Sequence, residues 1–151
     1  MDGAKRYLDE IVEPTIKDFE NNPTSVRHAF LACAAAFHTL DYVARAVNRP
    51  AAHLRQVFGN ESADFALVDD VAHAFKHVSV GPRGNPDLKM DEVMSRPPAK
   101  FDQAVFDLSR FDDAVGGITL DRERDVDLLQ TLQRATEFLR SKVVIDDADN
   151  A

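Results

Sequence analysis

The sequence has few of the features on which secreted and membrane proteins depend. Its 151 residues include one cysteine, Cys33, which excludes an intramolecular disulfide framework and favours a reducing compartment. No apolar run reaches the roughly 20 residues that cross a bilayer, and the N-terminal stretch MDGAKRYLDE lacks the apolar core of a signal peptide. We therefore expect a cytoplasmic protein that makes no contact with a membrane.

Positive charge is scarce, and the scarcity is uneven. The chain carries 18 basic and 26 acidic side chains, a net charge of −8. Residues 101–151 hold six basic and twelve acidic side chains and so account for −6 of that total, whereas residues 1–60 are balanced. Because broad nucleic-acid-binding surfaces need clustered Lys and Arg, we expect no extended surface of that kind, although a local basic pocket stays open.

The common catalytic motifs are missing as well. The chain contains no Gly-rich phosphate loop, no Gly-x-Ser-x-Gly elbow, no Cys-x-x-Cys pair, no His-Glu-x-x-His motif and no internal repeat. Any site must therefore be built from polar residues that only the fold brings together.

Helical periodicity dominates what is present. Apolar residues recur at spacings of three and four over four stretches: residues 4–20, 25–47, 61–80 and 122–143. Pro14 is expected to kink the first helix or split it in two, and Asp121 to cap the last one. This pattern predicts a mainly α protein, a bundle of about four helices, in a single domain over residues 1–151 with a disordered acidic tail at 145–151.

The period changes in the C-terminal half. Two short β-rich runs, residues 104–108 and 115–120, predict a small β-hairpin that packs on the helices or pairs with another chain. Residues 81–100 are dense in Pro, Gly and charge, and we expect a long loop there that serves as a lid, a mobile arm or an interface.

The helix predicted over residues 61–80 has two clean faces and is expected to be capped by Asn60 or Ser62. On a helical wheel its polar side chains share an arc of roughly 120°: Asp69, Asp70, His73, Lys76 and His77. One interpretation is a solvated face with local i,i+4 pairs. The other is a site, because spacings of three and four put Asp70, His73 and His77 on one face, as in metal-binding helices.

A second polar stripe lies on the helix predicted over residues 25–47. Its members His38 and Asp41 either pair with each other locally or face the polar arc of the next long helix. If the two helices are antiparallel neighbours, they would supply a ligand set for Zn, Mn or Fe that could activate water: His38, Asp41, Asp70, His73 and His77. Cys33 falls on the apolar face and is expected in the core. The connector residues His53 and Arg55 are given no function.

The stretches AFHTLDYVARA and DDVAHAFKH resemble HEPN-type helical domains, over roughly residues 25–80. The resemblance implies a small helical homodimer without a cofactor, many such domains being metal-independent ribonucleases of toxin–antitoxin and phage-defence systems. The family's catalytic pattern, an Arg followed by a His with four to six residues between them, is absent: Arg49 and His53 have three between them.

The resemblance implies a general acid or base at His77, and the other candidate catalytic residues are His73, Lys76 and Asp70, with Arg27 or Arg45 able to supply a cation in space. RNA is the partner in this interpretation. In a third interpretation the protein is not an enzyme but a dimeric helical module whose hairpin and long loop bind a protein partner.

Overall fold

The computed structural model describes residues 2–76, 88–100, 102–105, 108–110, 112–120 and 126–148. Within them the α-helices are α1 Asp2–Tyr7, α2 Glu13–Asn21, α3 Val26–Ala46, α4 Ala51–Glu61, α5 Ala63–Lys76 and α6 Leu128–Ala148. The strands are β1 Val93–Arg96, β2 Gly117–Leu120 and β3 Val126–Asp127, and a 3-10 turn, Met90–Glu92, precedes β1. The predicted fold class, mainly α with a small antiparallel hairpin sheet in the C-terminal half, is confirmed.

Pro14 changes the N-terminal helical run without breaking it. A π-helical segment, Leu8–Val12, joins α1 to α2, and the Glu13 N–H bonds to the Leu8 carbonyl, five residues back. Proline has no N–H to donate, and a π turn accommodates the missing i→i−4 bond by widening the helix. Leu8 and Val12 stay fully buried, so the run keeps one face in the core.

Helix α3 is the centre of the bundle. It begins where the Ser25 hydroxyl accepts a hydrogen bond from the His28 N–H at 3.4 Å. Its buried face is mostly small, with Ala29, Ala32 and Ala36 fully inaccessible, and this lets α2, α5 and α6 approach closely. Cys33 is fully buried among them, and burial raises the pKa of its thiol to about 12, so the prediction of a core cysteine is confirmed.

The sheet pairs strands that the sequence did not suggest. β2 pairs antiparallel with β1, Arg96 opposite Gly117, and with β3 on its other side. The predicted partner, residues 104–108, is wrong: the described residues 104, 105 and 108 lie outside any strand. The true partner β1 lies in the segment that we expected to be a loop, of which residues 81–87 are outside the described part.

The turn before β2 explains this pairing. Asp113 Oδ1 accepts hydrogen bonds from the N–H groups of Val115 and Gly116 at 3.1 and 2.8 Å, and Oδ2 accepts one from Arg96 Nε at 2.9 Å. Burial alone raises the pKa of Asp113, but these hydrogen bonds and the guanidinium charge outweigh it and bring the pKa below its ordinary value. Asp113 therefore ties the turn to the end of β1, across a sequence gap that no local pattern bridges.

Helix α6 starts later than predicted. Asp127, the last residue of β3, caps it by accepting from the Gln130 N–H at 3.0 Å. The expected cap, Asp121, and residues 122–125 lie outside the described residues. Strand pairing of Val126 with Leu120 prevents an earlier helical start. At the other end α6 continues to Ala148, four residues into the tail that we expected to be disordered, while residues 149–151 are outside the described part.

The core lies where α3, α5 and α6 meet. α6 contributes a stripe of fully buried residues: Leu128, Leu132, Ala135, Leu139 and Val143. Phe58 of α4 packs its ring against Phe65 of α5 and Phe138 of α6 at centroid distances of 5.8 and 5.4 Å. None of the described helices has the length and apolar character that a membrane span requires.

Candidate functional site

The short connection between α4 and α5 brings the two helices together. Only Ser62 separates them, and its hydroxyl caps α5 by accepting from the Phe65 N–H at 3.1 Å, one of the two predicted caps. The connector that holds His53 and Arg55 is a full helix from Ala51 to Glu61. One side of α4 therefore covers part of the polar arc of α5.

Three side chains from these helices form a cluster, here named the Arg–Asp–His cluster: Arg55, Asp69 and His73. Arg55 Nε donates to Asp69 Oδ2 at 2.5 Å, and Arg55 Nη2 lies 3.4 Å from His73 Nδ1. His73 Nδ1 lies 2.9 Å from the Asp69 carbonyl oxygen and 3.0 Å from Asp69 Oδ1. Both of these oxygens can only accept, and they lie closer to Nδ1 than the donor Arg55 Nη2 does. This geometry favours the tautomer with the proton on Nδ1, in which Nε2 is the basic nitrogen.

Asp69 is buried, which the helical wheel did not anticipate. Its side chain is 11% exposed, although one of the two interpretations of the arc was a solvated face. Oδ1 is 3.0 Å from His73 Nδ1 but accepts no hydrogen bond from the described residues, because the geometry directs the Nδ1 proton to the Asp69 carbonyl. A buried carboxylate needs a compensating charge, and Arg55 supplies it.

A small pocket adjoins the cluster, between α3 and α5. It encloses about 160 Å³ and is here named the aromatic pocket, lined by Phe30, Ala34, Phe37, His38, Ala72 and His73. The Phe37 ring stands edge-on to His73, at a centroid distance of 5.2 Å and an interplanar angle of 88°, and lies 5.9 Å from the Arg55 guanidinium carbon. The expected approach of His38 and His73 therefore takes the form of two imidazoles on one pocket, with Phe37 in contact with both.

The other predicted site residues are distributed differently. Asp41 forms the local pair, 3.0 Å from His38 Nδ1, and both side chains are more than half exposed (55% and 59%). Asp70 is half-buried on α5. Lys76 ends α5, but its side chain is outside the described part, as is all of His77. The role of these two residues stays a prediction.

The metal hypothesis also stays a prediction. Among the described residues, no group of three or more His, Cys, Asp or Glu side chains is arranged to hold a metal ion. The five-residue ligand set drawn from the sequence includes His77, which lies outside those residues. Asp41 turns to its own helix neighbour His38, so its contribution to a shared site would require a change of rotamer.

Arg55 is the functional candidate that the sequence analysis missed. We expected Arg27 or Arg45 to supply a cation, yet Arg27 lies beside His28 at the start of α3, and Arg45 lines a separate cavity with Tyr42. A signal for Arg55 was present in its neighbours. Leu54 and Phe58 are buried on the same helix, so the stem of an arginine between them must run along the bundle surface.

Arg55 lies in a locally basic stretch of an acidic chain, whereas Asp69 and His73 lie outside that stretch. Residues 26–61 carry four arginines and two acidic residues, a balance of +2 within a total of −8. A larger cavity of about 760 Å³ opens between the sheet and α6. There Arg96 and Arg134 are paired with Asp113 and Asp64 at 2.7 and 2.8 Å, as Arg55 is with Asp69. None of the described residues that line this cavity is a histidine, whereas the Arg–Asp–His cluster has an imidazole beside its guanidinium. The cluster is therefore the better candidate for acid–base chemistry at a phosphate.

Comparison with known proteins assigns no family. No family model, no curated protein and no solved structure matches the chain. The HEPN-type resemblance of residues 25–80 accordingly stays a prediction from the sequence, and the functional argument rests on the geometry of the cluster.

Proposed function

We propose that the chain is a HEPN-like helical-bundle protein that processes RNA without a metal ion, with the Arg–Asp–His cluster as its reactive centre. The supporting observation is the convergence of a guanidinium and an imidazole from different helices, with Arg55 Nη2 3.4 Å from His73 Nδ1. An acid–base group beside a fixed cation is what 2′-hydroxyl attack on a phosphodiester requires. In the proposal, Arg55 of α4 and His73 of α5 take the roles of the Arg and His that HEPN-type domains carry in one motif.

Each member of the cluster has a distinct role in this proposal. His73 Nε2 takes the proton of the ribose 2′-hydroxyl, whose oxygen attacks phosphorus to give a 2′,3′-cyclic phosphate while the 5′ oxygen leaves with a proton. Asp69 orients the imidazole through its carbonyl oxygen, 2.9 Å from Nδ1, and its carboxylate offsets the positive charge of the protonated ring. Arg55, one-third exposed, stabilises the charge that develops on the phosphoryl oxygens.

The sequence supplies the remaining candidates. Lys76 follows His73 by three residues and His77 follows it by four, and in a helix these spacings align side chains along one face. In the proposal, His77 protonates the leaving oxygen and Lys76 adds a second cation. Asp70, next to Asp69 in the sequence, limits how closely a phosphate approaches this end of the site.

The test is cleavage of a fluorescent single-stranded RNA at neutral pH in the presence of EDTA. We expect His73→Ala to lower the rate about 10²–10⁴-fold, because it removes the proton acceptor. Arg55→Ala should lower it about 10²-fold or more, because it removes a preorganised cation. His53→Ala is the matched control: His53 is exposed on α4, two residues from Arg55, and its loss should leave the rate unchanged.

Two outcomes of this assay contradict the proposal. If the RNA stays equally intact with the wild type and with His73→Ala, and circular dichroism shows that both proteins are folded, the proposed ribonuclease activity is excluded. Activity lost in EDTA and restored by Zn or Mn, with about one metal per chain that is absent from a His73→Ala/His77→Ala variant, supports the metal-binding bundle with hydrolase-like activity instead.

A second candidate function, the non-enzymatic dimeric interaction module, has its own observation. Five large apolar side chains between residues 88 and 120 are 39–61% exposed: Met90, Met94, Val105, Leu108 and Val115. In this second proposal they adjoin one another and form a surface that binds a protein. Replacing Val105 and Leu108 together by serine should disrupt an oligomer seen by analytical ultracentrifugation, while the helical content stays unchanged.

A further inference from the structure

The aromatic pocket has the size of a single ring. Its volume of about 160 Å³ is close to the roughly 150 Å³ of an engineered apolar cavity that holds one benzene molecule. A purine, with two fused rings, is bulkier than a pyrimidine, so the smaller base fits this volume more readily. The volume therefore favours ligands with one planar ring.

The lining of the pocket fits a heterocycle better than a plain hydrocarbon ring. Phe30, Phe37 and the two alanines provide apolar contact, and Phe30 is held by Phe75 at a centroid distance of 4.8 Å. The polar groups are the imidazoles of His38 and His73, which can donate to or accept from the edge of a base. Apolar walls with a few polar groups are typical of sites that bind and orient a small ligand.

A cation lies beside the same rings. The Arg55 guanidinium carbon is 5.9 Å from the centre of Phe37, and Arg55 Nη2 is 3.4 Å from His73 Nδ1. A ligand whose ring enters the aromatic pocket would therefore carry its attached ribose phosphate toward Arg55. Pyrimidine nucleotides combine one ring, polar ring edges and a phosphate.

From these observations we infer that the aromatic pocket binds a pyrimidine base of an RNA strand, and that the protein selects pyrimidine over purine at the nucleotide next to the scissile phosphate. This inference rests on the proposed function, because it names the base that the same site holds during cleavage. The base contacts Phe37 and reaches His38. This position brings the 2′-hydroxyl of the attached ribose to His73.

The test separates binding from cleavage. Uridine 3′-monophosphate and adenosine 3′-monophosphate, neither of which can be cleaved further, are titrated into the full chain and followed by ¹H–¹⁵N chemical shifts. We expect the uridine nucleotide to shift the amides of Ala34, Phe37 and Ala72 and to bind about tenfold more tightly than the adenosine nucleotide. Ala34→Leu, which fills the pocket, should abolish those shifts.

Controls decide between the outcomes. Ala46→Leu makes the same change at an exposed position twelve residues further along α3 and should leave binding intact. Equal binding of both nucleotides, binding that survives Ala34→Leu, or equally tight binding of phenol overturns the inference. Uridine-selective binding without RNA cleavage removes the proposed ribonuclease and keeps the pyrimidine pocket. Cleavage at equal rates next to purines and pyrimidines removes the pyrimidine pocket and keeps the proposed ribonuclease.

Discussion

Replacing Arg55 by methionine tests whether the Arg–Asp–His cluster is an organised, buried unit. Methionine keeps the length and the apolar stem of arginine but removes the guanidinium. The Asp69 carboxylate, 11% exposed, then loses the donor that lies 2.5 Å from Oδ2. What remains is a carboxylate that water reaches poorly, with His73 Nδ1 3.0 Å from Oδ1.

The expected cost follows from this burial. Removing one partner of a fully buried ion pair costs about 3–5 kcal/mol. Arg55 is 33% exposed and His73 stays in place, so the pair is partly screened, and we expect a loss of about 2 kcal/mol in the free energy of unfolding. For a chain of this size that loss corresponds to a fall of about 4–8 °C in Tm.

A double-mutant cycle isolates the interaction. Asp69→Leu leaves Arg55 able to turn toward water, so we expect a loss of only about 1 kcal/mol. The double variant Arg55→Met/Asp69→Leu has no orphaned charge, and the two effects should therefore fail to add by about 1–2 kcal/mol. Urea unfolding followed by circular dichroism measures all four proteins, and Arg49→Met, at an exposed arginine before α4, is the matched control.

One result refutes this reasoning. If Arg55→Met and Arg49→Met both change the unfolding free energy by less than about 0.5 kcal/mol, the Arg55–Asp69 pair behaves as an ordinary surface salt bridge. The guanidinium would then be too mobile to stabilise a developing charge, and the case for Arg55 in the proposed function would fall with it.

Two further predictions concern the turn before β2. Gly116→Ala should lower the unfolding free energy by about 2 kcal/mol or more, because φ is +72° and a Cβ would lie 2.4 Å from the Arg96 carbonyl oxygen. Gly59→Ala is the control, since its Cβ meets only Ala66 at 3.9 Å; in helix α4 it should raise the unfolding free energy by about 0.5–1 kcal/mol, and a loss there would contradict the argument. The depressed pKa of Asp113 stabilises the fold above its ordinary value of 3.8, and this stabilisation is lost as the pH falls toward the folded-state pKa. Urea unfolding between pH 6 and pH 3 should therefore show a shallower acid loss for Asp113→Asn than for the wild type, and identical profiles would rule out this role.

Local signals predicted much of the helical fold. Ser62 caps the helix that it was expected to cap, because a capping hydroxyl needs only the backbone N–H groups two or three residues ahead. The burial of Cys33 was predicted correctly for a similar reason. In a helix of 3.6 residues per turn, the spacing of residues alone decides which side chains share a face.

Pairings between distant segments could not be predicted in this way. Nothing in the run at residues 115–120 specifies Val93–Arg96 as its partner, and the choice depends on the bonds from Asp113 to Arg96 and Gly116. The observed start of α6 differs from the predicted start for the same reason, since the pairing of Val126 with Leu120 competes with an earlier helical turn. Strand pairing is a contact between two segments, whereas β-strand propensity is a property of one segment. The propensity of a segment therefore does not identify its partner.

The sequence by itself determined that the chain forms amphipathic helices, that Cys33 is a core residue, and that polar residues align on one face of α5. Only the tertiary structure decided what that face meets. Helix α4 covers Asp69 and places Arg55 against it. His38 and Asp41, in contrast, pair with each other and are more than half exposed. The physical reason is that a helical wheel gives the direction of a side chain, but burial and charge pairing depend on which neighbour packs there.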